Sequence, residues 1–219
     1  MIFLNFKTYK SGSGANALSM AKIAEETSRE SGIKINSIVQ VIDIKEISSV
    51  VTNEVWSQNV NDSQFGAHTG SVLAETLIEN GATGVIINHS ENRSLNFDVL
   101  STEHHRAKEV GLKTLIFAKD LEELQKVSEL KPDFISYEPP SLIGSKDKSV
   151  ASAEPDIISK ASEISKKTGI PLIVGAGVHS KLDVKKCIEL GATGIAVASD
   201  VMLSDNPKEE LMDLVEGFN

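Results

Sequence analysis

The feature that most constrains the fold is a strict alternation of short β-rich apolar runs with longer amphipathic helical runs along the whole chain. This alternation predicts parallel strands joined by right-handed helical crossovers. The predicted strands are Ile2 to Phe6, Ser37 to Ile42, Val55 to Asn59, Gly84 to Asn88, Lys113 to Phe117, Phe134 to Glu138, Pro171 to Gly175 and Gly194 to Ala198. Eight units of about 27 residues match a (β/α)8 barrel, so we predict an α/β fold of that architecture.

Domain organisation follows from the same pattern. No linker, low-complexity run or charge block divides the chain, so we expect one catalytic barrel domain over residues 1–219. An open doubly wound sheet is the alternative, but the first strand is not followed by a Gly-rich dinucleotide turn. The only long irregular stretch is Pro139 to Glu154, and loops of that length in compact domains are usually functional or disordered.

Composition indicates which kinds of partner can be excluded and in which cellular compartment the protein is expected. The net charge of -9 argues against nucleic acid or an anionic membrane as the main partner. No apolar run approaches the roughly 18 residues of a membrane span, and the N-terminal apolar stretch is too short for a signal peptide. The single Cys187 lies in a helical pattern and is predicted to pack as a small hydrophobe. One unpaired cysteine favours a reducing compartment, so we expect a cytoplasmic protein.

The first strand ends in two polar residues. In this barrel the active site lies at the C-terminal ends of the strands. Residues i and i+2 of a strand share a face, so Asn5 and Lys7 are predicted to point together into the mouth while Leu4 and Phe6 face the helices. An amide beside an ammonium group suits an anion or an oxyanion. A surface lysine is the alternative.

The fourth strand leads into His89. Residues Ser90 to Ser94 are rich in helix-start residues, which predicts a helix N-terminus beside the imidazole. That position disfavours the imidazolium and predicts a neutral donor, with a helix-capping role as the alternative. His104 and His105 are expected on a solvated helix face, and His179 is expected to be exposed.

The sixth strand ends in Glu138, whose carboxylate is predicted to point into the mouth. Pro139 and Pro140 then stiffen the exit, because each fixes φ and removes an N–H donor. Leu142 and Ile143 place apolar side chains at the tip of the following loop, which suits a lid that closes over a ligand. A glutamate that caps a surface loop is the alternative.

The last two strands end in small residues, Gly175-Ala176-Gly177 and Ala198-Ser199. Small residues let backbone N–H groups approach a ligand closely. Phosphate sites after strands 7 and 8 recur in this barrel, although a tight turn would use the same residues.

Three segments resemble the signatures of the triosephosphate isomerase family, in the same order and on the same strands: Asn5-Phe6-Lys7, His89-Ser90-Glu91 and Tyr137-Glu138-Pro139. Two further segments, Trp56 to Val60 and Gly66 to Gly70, resemble the family's third strand and its following loop. The resemblance covers essentially the whole chain, and the short length is similar to the compact archaeal branch. The eighth strand departs from the family, which commonly has two glycines where Ala198-Ser199 stands.

The resemblance implies the interconversion of dihydroxyacetone phosphate and D-glyceraldehyde 3-phosphate through an enediolate, a step of glycolysis and gluconeogenesis. It implies that Glu138 moves the carbon proton and that neutral His89 polarises the carbonyl group. Lys7 would stabilise the enediolate, with Asn5 placing Lys7 and Glu91 supporting it.

The resemblance also implies a phosphate site on Ile143, Gly144, Gly177, Ala198 and Ser199, beneath a lid over residues 139–145. No metal and no organic cofactor are expected. It implies a homodimer or homotetramer in which the Thr69 loop reaches a neighbouring subunit, with no nucleic-acid or membrane partner.

Two other function classes stay open on the residues alone. A Schiff-base aldolase of the same fold would want a desolvated lysine, commonly on the sixth strand, where this chain has Glu138. A non-catalytic binding or assembly barrel is disfavoured, since Lys7, His89 and Glu138 are all present.

Overall fold

The computed structural model describes residues 1–138 and 155–219, and within them eight parallel strands close into a barrel. Each strand pairs with the next in chain order, and the eighth pairs with the first. The strands are β1 (Ile2–Asn5), β2 (Ile35–Val39), β3 (Val55–Ser57), β4 (Gly84–Ile87), β5 (Lys113–Ala118), β6 (Phe134–Tyr137), β7 (Leu172–Val174) and β8 (Gly194–Val197). The predicted (β/α)8 architecture is confirmed.

Helices surround the barrel. Those in the described residues are α1 (Ala15–Ser31), α2 (Ile44–Ser48), α3 (Ala74–Glu79), α4 (Phe97–Glu109), α5 (Leu121–Ser128), α6 (Pro155–Thr168), α7 (Lys181–Glu189), α8 (Ser199–Met202) and α9 (Pro207–Glu216). Short 3-10 helices lie at Lys10–Gly12 and Val41–Asp43. Within residues 1–138 and 155–219, no helix is both long enough and apolar enough to cross a membrane.

Two hydrophobic layers follow from the alternation of side chains along each strand. Leu4 and Phe6 are fully buried in the layer between strands and helices, as predicted. The barrel interior is filled by a second cluster: Phe3, Ile38, Trp56, Ile86, Leu115, Phe117, Ile173 and Ala196. Phe3, Trp56 and Phe134 pack edge to face, with ring centroids 4.9 to 6.0 Å apart. This packed interior leaves the ends of the barrel as the places where a ligand can bind.

The second strand differs from its prediction in both limits. It begins at Ile35, which pairs with Ile2, and it ends at Val39. Val39 pairs with Ser57, the last residue of β3, so no neighbouring strand remains to pair with the residues that follow. The chain therefore turns into a 3-10 helix, and the side chain of Ile42 is 85% exposed.

His104 lies in the core, so its predicted solvated position is wrong. Its side chain is buried, and its Nε2 lies 2.9 Å from the Leu130 carbonyl oxygen. The buried face of α4 runs through Leu100, His104 and Ala107, the spacing of one helical stripe. Burial lowers the pKa of His104 to about 4. His105 is exposed, as predicted.

Cys187 on α7 is fully buried, as predicted. Burial raises the pKa of its thiol to about 12. The group therefore stays protonated at neutral pH and serves to pack α7 against the barrel.

Candidate active site

Residues from the ends of β1, β4, β6, β7 and β8 line one cleft at the C-terminal mouth of the barrel, with a volume of about 300 Å³. The predicted site residues that meet there are Asn5, Lys7, His89, Glu91, Glu138, Gly177, Ala198 and Ser199. Ile143 and Gly144 fall, with the rest of the predicted lid, outside the described residues. Parallel strands bring these distant segments together because their C-terminal ends share one edge.

Lys7 lies beyond the end of β1, and its backbone is left-handed, with φ of 45°. This conformation costs about 1–3 kcal/mol in a residue other than glycine and must be held by its surroundings. The Lys7 N–H donates to Asn5 Oδ1 at 3.0 Å, and the Lys7 carbonyl oxygen accepts from Gln58 Nε2 at 2.9 Å. The i, i+2 reasoning therefore does not apply to Lys7, although both residues line the mouth. Gln58 was not predicted to contribute.

The ammonium group of Lys7 points to Glu91. Its Nζ donates to Glu91 Oε1 at 2.7 Å, and the Glu91 side chain is about half exposed. An ammonium group has three donors, so this ion pair leaves donors for a substrate oxygen. The arrangement provides an oriented positive charge at the mouth.

The chain after His89 does not begin a helix. It forms a tight turn in which the Asn92 N–H donates to the His89 carbonyl oxygen at 2.8 Å. Helix α4 starts at Phe97, with Asn96 as its N-cap. The expected helix start over Ser90 to Ser94 is therefore wrong. The left-handed backbone of Asn88, with φ of 64°, turns the chain immediately after β4.

The His89 ring is held as a neutral donor by other means. The Glu91 backbone N–H donates to His89 Nδ1 at 3.2 Å, which requires a lone pair on Nδ1 and places the proton on Nε2. Burial lowers the pKa of His89 below its ordinary value, and the Glu138 carboxylate offsets part of that shift. The neutral state of His89 was predicted from a neighbouring helix N-terminus, but in the structure it results from desolvation of the ring.

Glu138 follows β6 directly and is buried. Its Oε1 lies 3.5 Å from His89 Nε2, and its Oε2 accepts from the Ser90 N–H at 3.4 Å. Both distances exceed those of strong hydrogen bonds, so the carboxylate oxygens are only weakly engaged. The Glu138 backbone N–H donates to the Ala118 carbonyl oxygen at 2.9 Å and fixes the main chain. A buried, loosely held carboxylate on a fixed backbone suits a base.

Phe117, which was not predicted to contribute, and Gly175, which was predicted only as a small residue near a phosphate site, support this pair from below. The Phe117 ring packs edge-on against His89, with centroids 5.0 Å apart. A Cβ at Gly175 would lie 2.7 Å from Ser136 Oγ and 3.5 Å from the Cβ of Glu138. The inward register of strands β5 and β7 is the signal that could have identified both positions.

The opposite side of the mouth is built from small residues. Gly177 has φ of 59°, a conformation that favours glycine, and Ala198 and Ser199 lead into α8. The predicted exposure of His179 is wrong, since its side chain is only 24% exposed and its Nδ1 lies 3.0 Å from Asp200 Oδ2. Asp200 was not predicted as a site residue.

Comparison with known proteins identifies relatives over the full length. The family model described as triosephosphate isomerase matches residues 1–217. The triosephosphate isomerase of Methanobacterium bryantii is 38% identical over 98% of this chain and 95% of the relative. That of Methanocaldococcus jannaschii is 36% identical over 99% of each chain. The crystal structure of triosephosphate isomerase from Bartonella henselae has the same fold, with a TM-score of 0.77 at 18% identity, over 99% of this chain and 98% of that one.

Proposed function

The chain belongs to the triosephosphate isomerase family, and we propose how its mouth cleft interconverts dihydroxyacetone phosphate and D-glyceraldehyde 3-phosphate. The observation that carries the proposal is the approach of His89 Nε2 to the Glu138 carboxylate, 3.5 Å apart in a buried part of the mouth that Lys7 also lines. A base and a donor this close can act on two adjacent atoms of one small substrate.

Glu138 is the base. It takes the proton from the carbon next to the substrate carbonyl group and returns it to the neighbouring carbon. Removal of such a proton needs a base within about 3 Å of it. The weak contacts of both carboxylate oxygens leave them free to move to that distance.

His89 and Lys7 stabilise the negative charge that develops on the substrate oxygens. The Nε2–H of neutral His89 polarises the carbonyl group, in the acid–base pattern for which triosephosphate isomerase is itself the standard example. The Lys7 ammonium stabilises the enediolate, Glu91 orients that ammonium, and Asn5 holds the left-handed backbone of Lys7. This proton transfer requires no metal and no organic cofactor.

Backbone N–H groups near Gly177, Ala198 and Ser199 bind the substrate phosphate in this proposal, together with Ile143 and Gly144 beyond the described residues. In this proposal the predicted lid over residues 139–145, which lie outside the described residues, would exclude water and protect the enediolate from loss of phosphate.

The test is turnover of D-glyceraldehyde 3-phosphate by the wild-type protein and by Glu138→Asp, which keeps the charge but retracts the carboxylate by one methylene group. We expect fast wild-type turnover and a fall in kcat of about 10²–10⁴ in the variant, with an unchanged circular dichroism spectrum. An inactive wild-type protein, or an active variant, would refute the assignment.

We also propose a homodimer or homotetramer in which Thr69 reaches Lys7 of the partner subunit. Large apolar side chains are exposed in the loops after three consecutive strands, with exposures of 85% for Ile42, 70% for Phe65 and 90% for Leu95. Neighbouring loops of this kind at one rim of the barrel are typical of a protein–protein surface. Thr69 lies on the exposed loop that also carries Phe65.

Light scattering on Leu95→Glu tests this surface, with Leu182→Glu as the matched control. Leu182 is 72% exposed, but it lies on α7 after β7, a strand that is not adjacent to β2, β3 or β4 in the barrel. We expect the wild-type protein and the control to have the mass of an oligomer and Leu95→Glu to shift toward the monomer. A monomeric wild-type protein at micromolar concentration would contradict the proposal.

The barrel over residues 1–219 forms a single catalytic domain in this proposal, working in the cytoplasm. The buried, unpaired Cys187 supports a reducing compartment.

A further inference from the structure

The loops after β7 and β8 form one side of the mouth, and a hydrogen bond between His179 and Asp200 joins them. These strands are neighbours in the barrel, with Ile173 paired to Gly194. His179 lies between β7 and α7, and Asp200 lies in the first turn of α8. Both side chains line the cleft that contains Lys7 and Glu138.

The geometry fixes how the pair is bonded. His179 Nδ1 lies 3.0 Å from Asp200 Oδ2, and an ionised carboxylate only accepts hydrogen bonds, so Nδ1 carries a proton. The His179 Nε2 atom is enclosed and has no hydrogen-bond partner in the described part of the chain, so the ring is held through Nδ1.

The backbone of His179 is anchored separately. Its N–H donates to Asp183 Oδ2 at 3.1 Å, and the Ser180 hydroxyl donates to the same oxygen at 2.9 Å. These bonds tie the loop to the start of α7. The imidazole therefore reaches Asp200 from an anchored backbone. The hydrogen bond between the two side chains determines the spacing of the two loops.

The carboxylate of Asp200 disfavours the binding of an anion at this position. The proposed phosphate residues Ala198 and Ser199 immediately precede it, and the mouth already contains the carboxylates of Glu91 and Glu138. An unpaired third carboxylate would repel a phosphate dianion. The chain also has a net charge of -9, so the electrostatic field of the whole protein disfavours binding of an anion.

We propose that His179 and Asp200 form a latch that holds the two phosphate loops together and engages the aspartate carboxylate in a hydrogen bond, making His179 a specificity-determining residue for the phosphate group of the substrate. The inference rests on the proposed function. His179 is a positioning residue here, since its proton is engaged by Asp200 rather than by the reacting atoms. Loss of the latch should therefore weaken substrate binding and leave the proton-transfer step nearly intact.

The experiment compares His179→Ala with His179→Asn, whose amide nitrogen can replace Nδ1 as the donor to Asp200. We expect His179→Ala to raise the KM for D-glyceraldehyde 3-phosphate about tenfold, because the Asp200 carboxylate loses its hydrogen-bond donor close to a phosphate dianion. Its kcat should change by less than about twofold. His179→Asn should restore a KM close to that of the wild type.

The double variant His179→Ala/Asp200→Ala distinguishes repulsion by the Asp200 carboxylate from loss of the contact between the two loops. Removal of the repelling carboxylate should recover most of the lost affinity, so the double variant should bind better than His179→Ala alone. The inhibition constant of inorganic phosphate should likewise be highest for His179→Ala and lower for the double variant. Turnover of D-glyceraldehyde, which has no phosphate group, should be equal in all variants.

Three results would overturn the latch: an unchanged KM in His179→Ala, a double variant weaker than the single one, or an equal loss with D-glyceraldehyde. Calorimetric titration of each variant with inorganic phosphate keeps the test independent of turnover. An inactive wild-type protein that still shows this order of phosphate affinities would refute the isomerase assignment and leave the latch standing.

Discussion

The two sides of the barrel mouth are built on different principles. The side that we propose to be catalytic, formed by Lys7, His89 and Glu138, holds charged or polar side chains through specific backbone contacts. The side that we propose to bind phosphate, formed by residues 175–180 and 198–200, consists mainly of small residues joined by the His179–Asp200 pair. The catalytic side also contains two left-handed residues, Lys7 and Asn88, which are not glycines.

The difference has a physical reason. Groups that stabilise charge developing during a reaction are effective only when they are oriented beforehand, which requires anchored and partly buried side chains. A phosphate group keeps its charge throughout the reaction and can be bound by backbone N–H groups, which small residues expose. Changes on the catalytic side should therefore affect kcat, and changes on the phosphate side should affect KM.

After Glu138→Asp, the largest effect is expected from Lys7→Met, which keeps the length of the side chain and removes its charge. Loss of a donor to the developing oxyanion should lower kcat by about 10²–10³. Glu91→Gln is the matched control, because it keeps an acceptor for the Lys7 ammonium and should lower kcat by about tenfold or less. Steady-state kinetics on both variants would contradict the division if Lys7→Met changed KM alone.

Gly175→Ala tests the residue beneath Glu138, where the two sides meet. The added methyl group would lie 2.7 Å from Ser136 Oγ, and overpacking of this kind costs about 1–3 kcal/mol of stability. A displaced carboxylate should lower kcat by roughly 10- to 100-fold. Adding Ser136→Ala removes the clashing oxygen and should recover activity. A double variant no better than Gly175→Ala would show that the contact is unimportant.

His104, which lies outside the mouth cleft, shows the cost of burying an imidazole where no reaction uses it. Burial lowers its pKa from 6.5 to about 4. Between these values the unfolded chain binds a proton that the folded chain does not, so the free energy of unfolding falls as pH falls. From pH 7 to pH 5 this one group should remove about 2 kcal/mol.

His104→Gln keeps a donor near the Leu130 carbonyl oxygen and does not titrate. Its unfolding free energy, measured by denaturant titration at fixed protein concentration, should fall less than that of the wild type between pH 7 and pH 5. Equal losses in the two proteins would show that His104 does not drive the pH dependence.

The smallest effect concerns Cys187, which lies on the helix that follows the phosphate side. Its thiol has a pKa raised to about 12 and is fully buried, so little thiolate forms at neutral pH. Native protein treated with iodoacetamide should keep its activity and its unmodified mass, whereas unfolded protein should gain one adduct. Rapid labelling of the native protein would show that α7 opens.

The sequence by itself determined the barrel and the identity of three polar or charged residues at its mouth. Alternation of strand and helix patterns is a local property, and it requires parallel strands whose C-terminal ends converge. Lys7, His89 and Glu138 were therefore placed at one mouth from their positions at strand ends.

Only the tertiary structure decided how those residues are held. The end of β2, the late start of α4 and the burial of His104 depend on which neighbours each segment meets. The pairing of His179 with Asp200 joins residues 21 positions apart through two adjacent strands. Periodicity along the chain predicts which face of an element is buried, but contacts between elements depend on packing and on where hydrogen-bond partners run out.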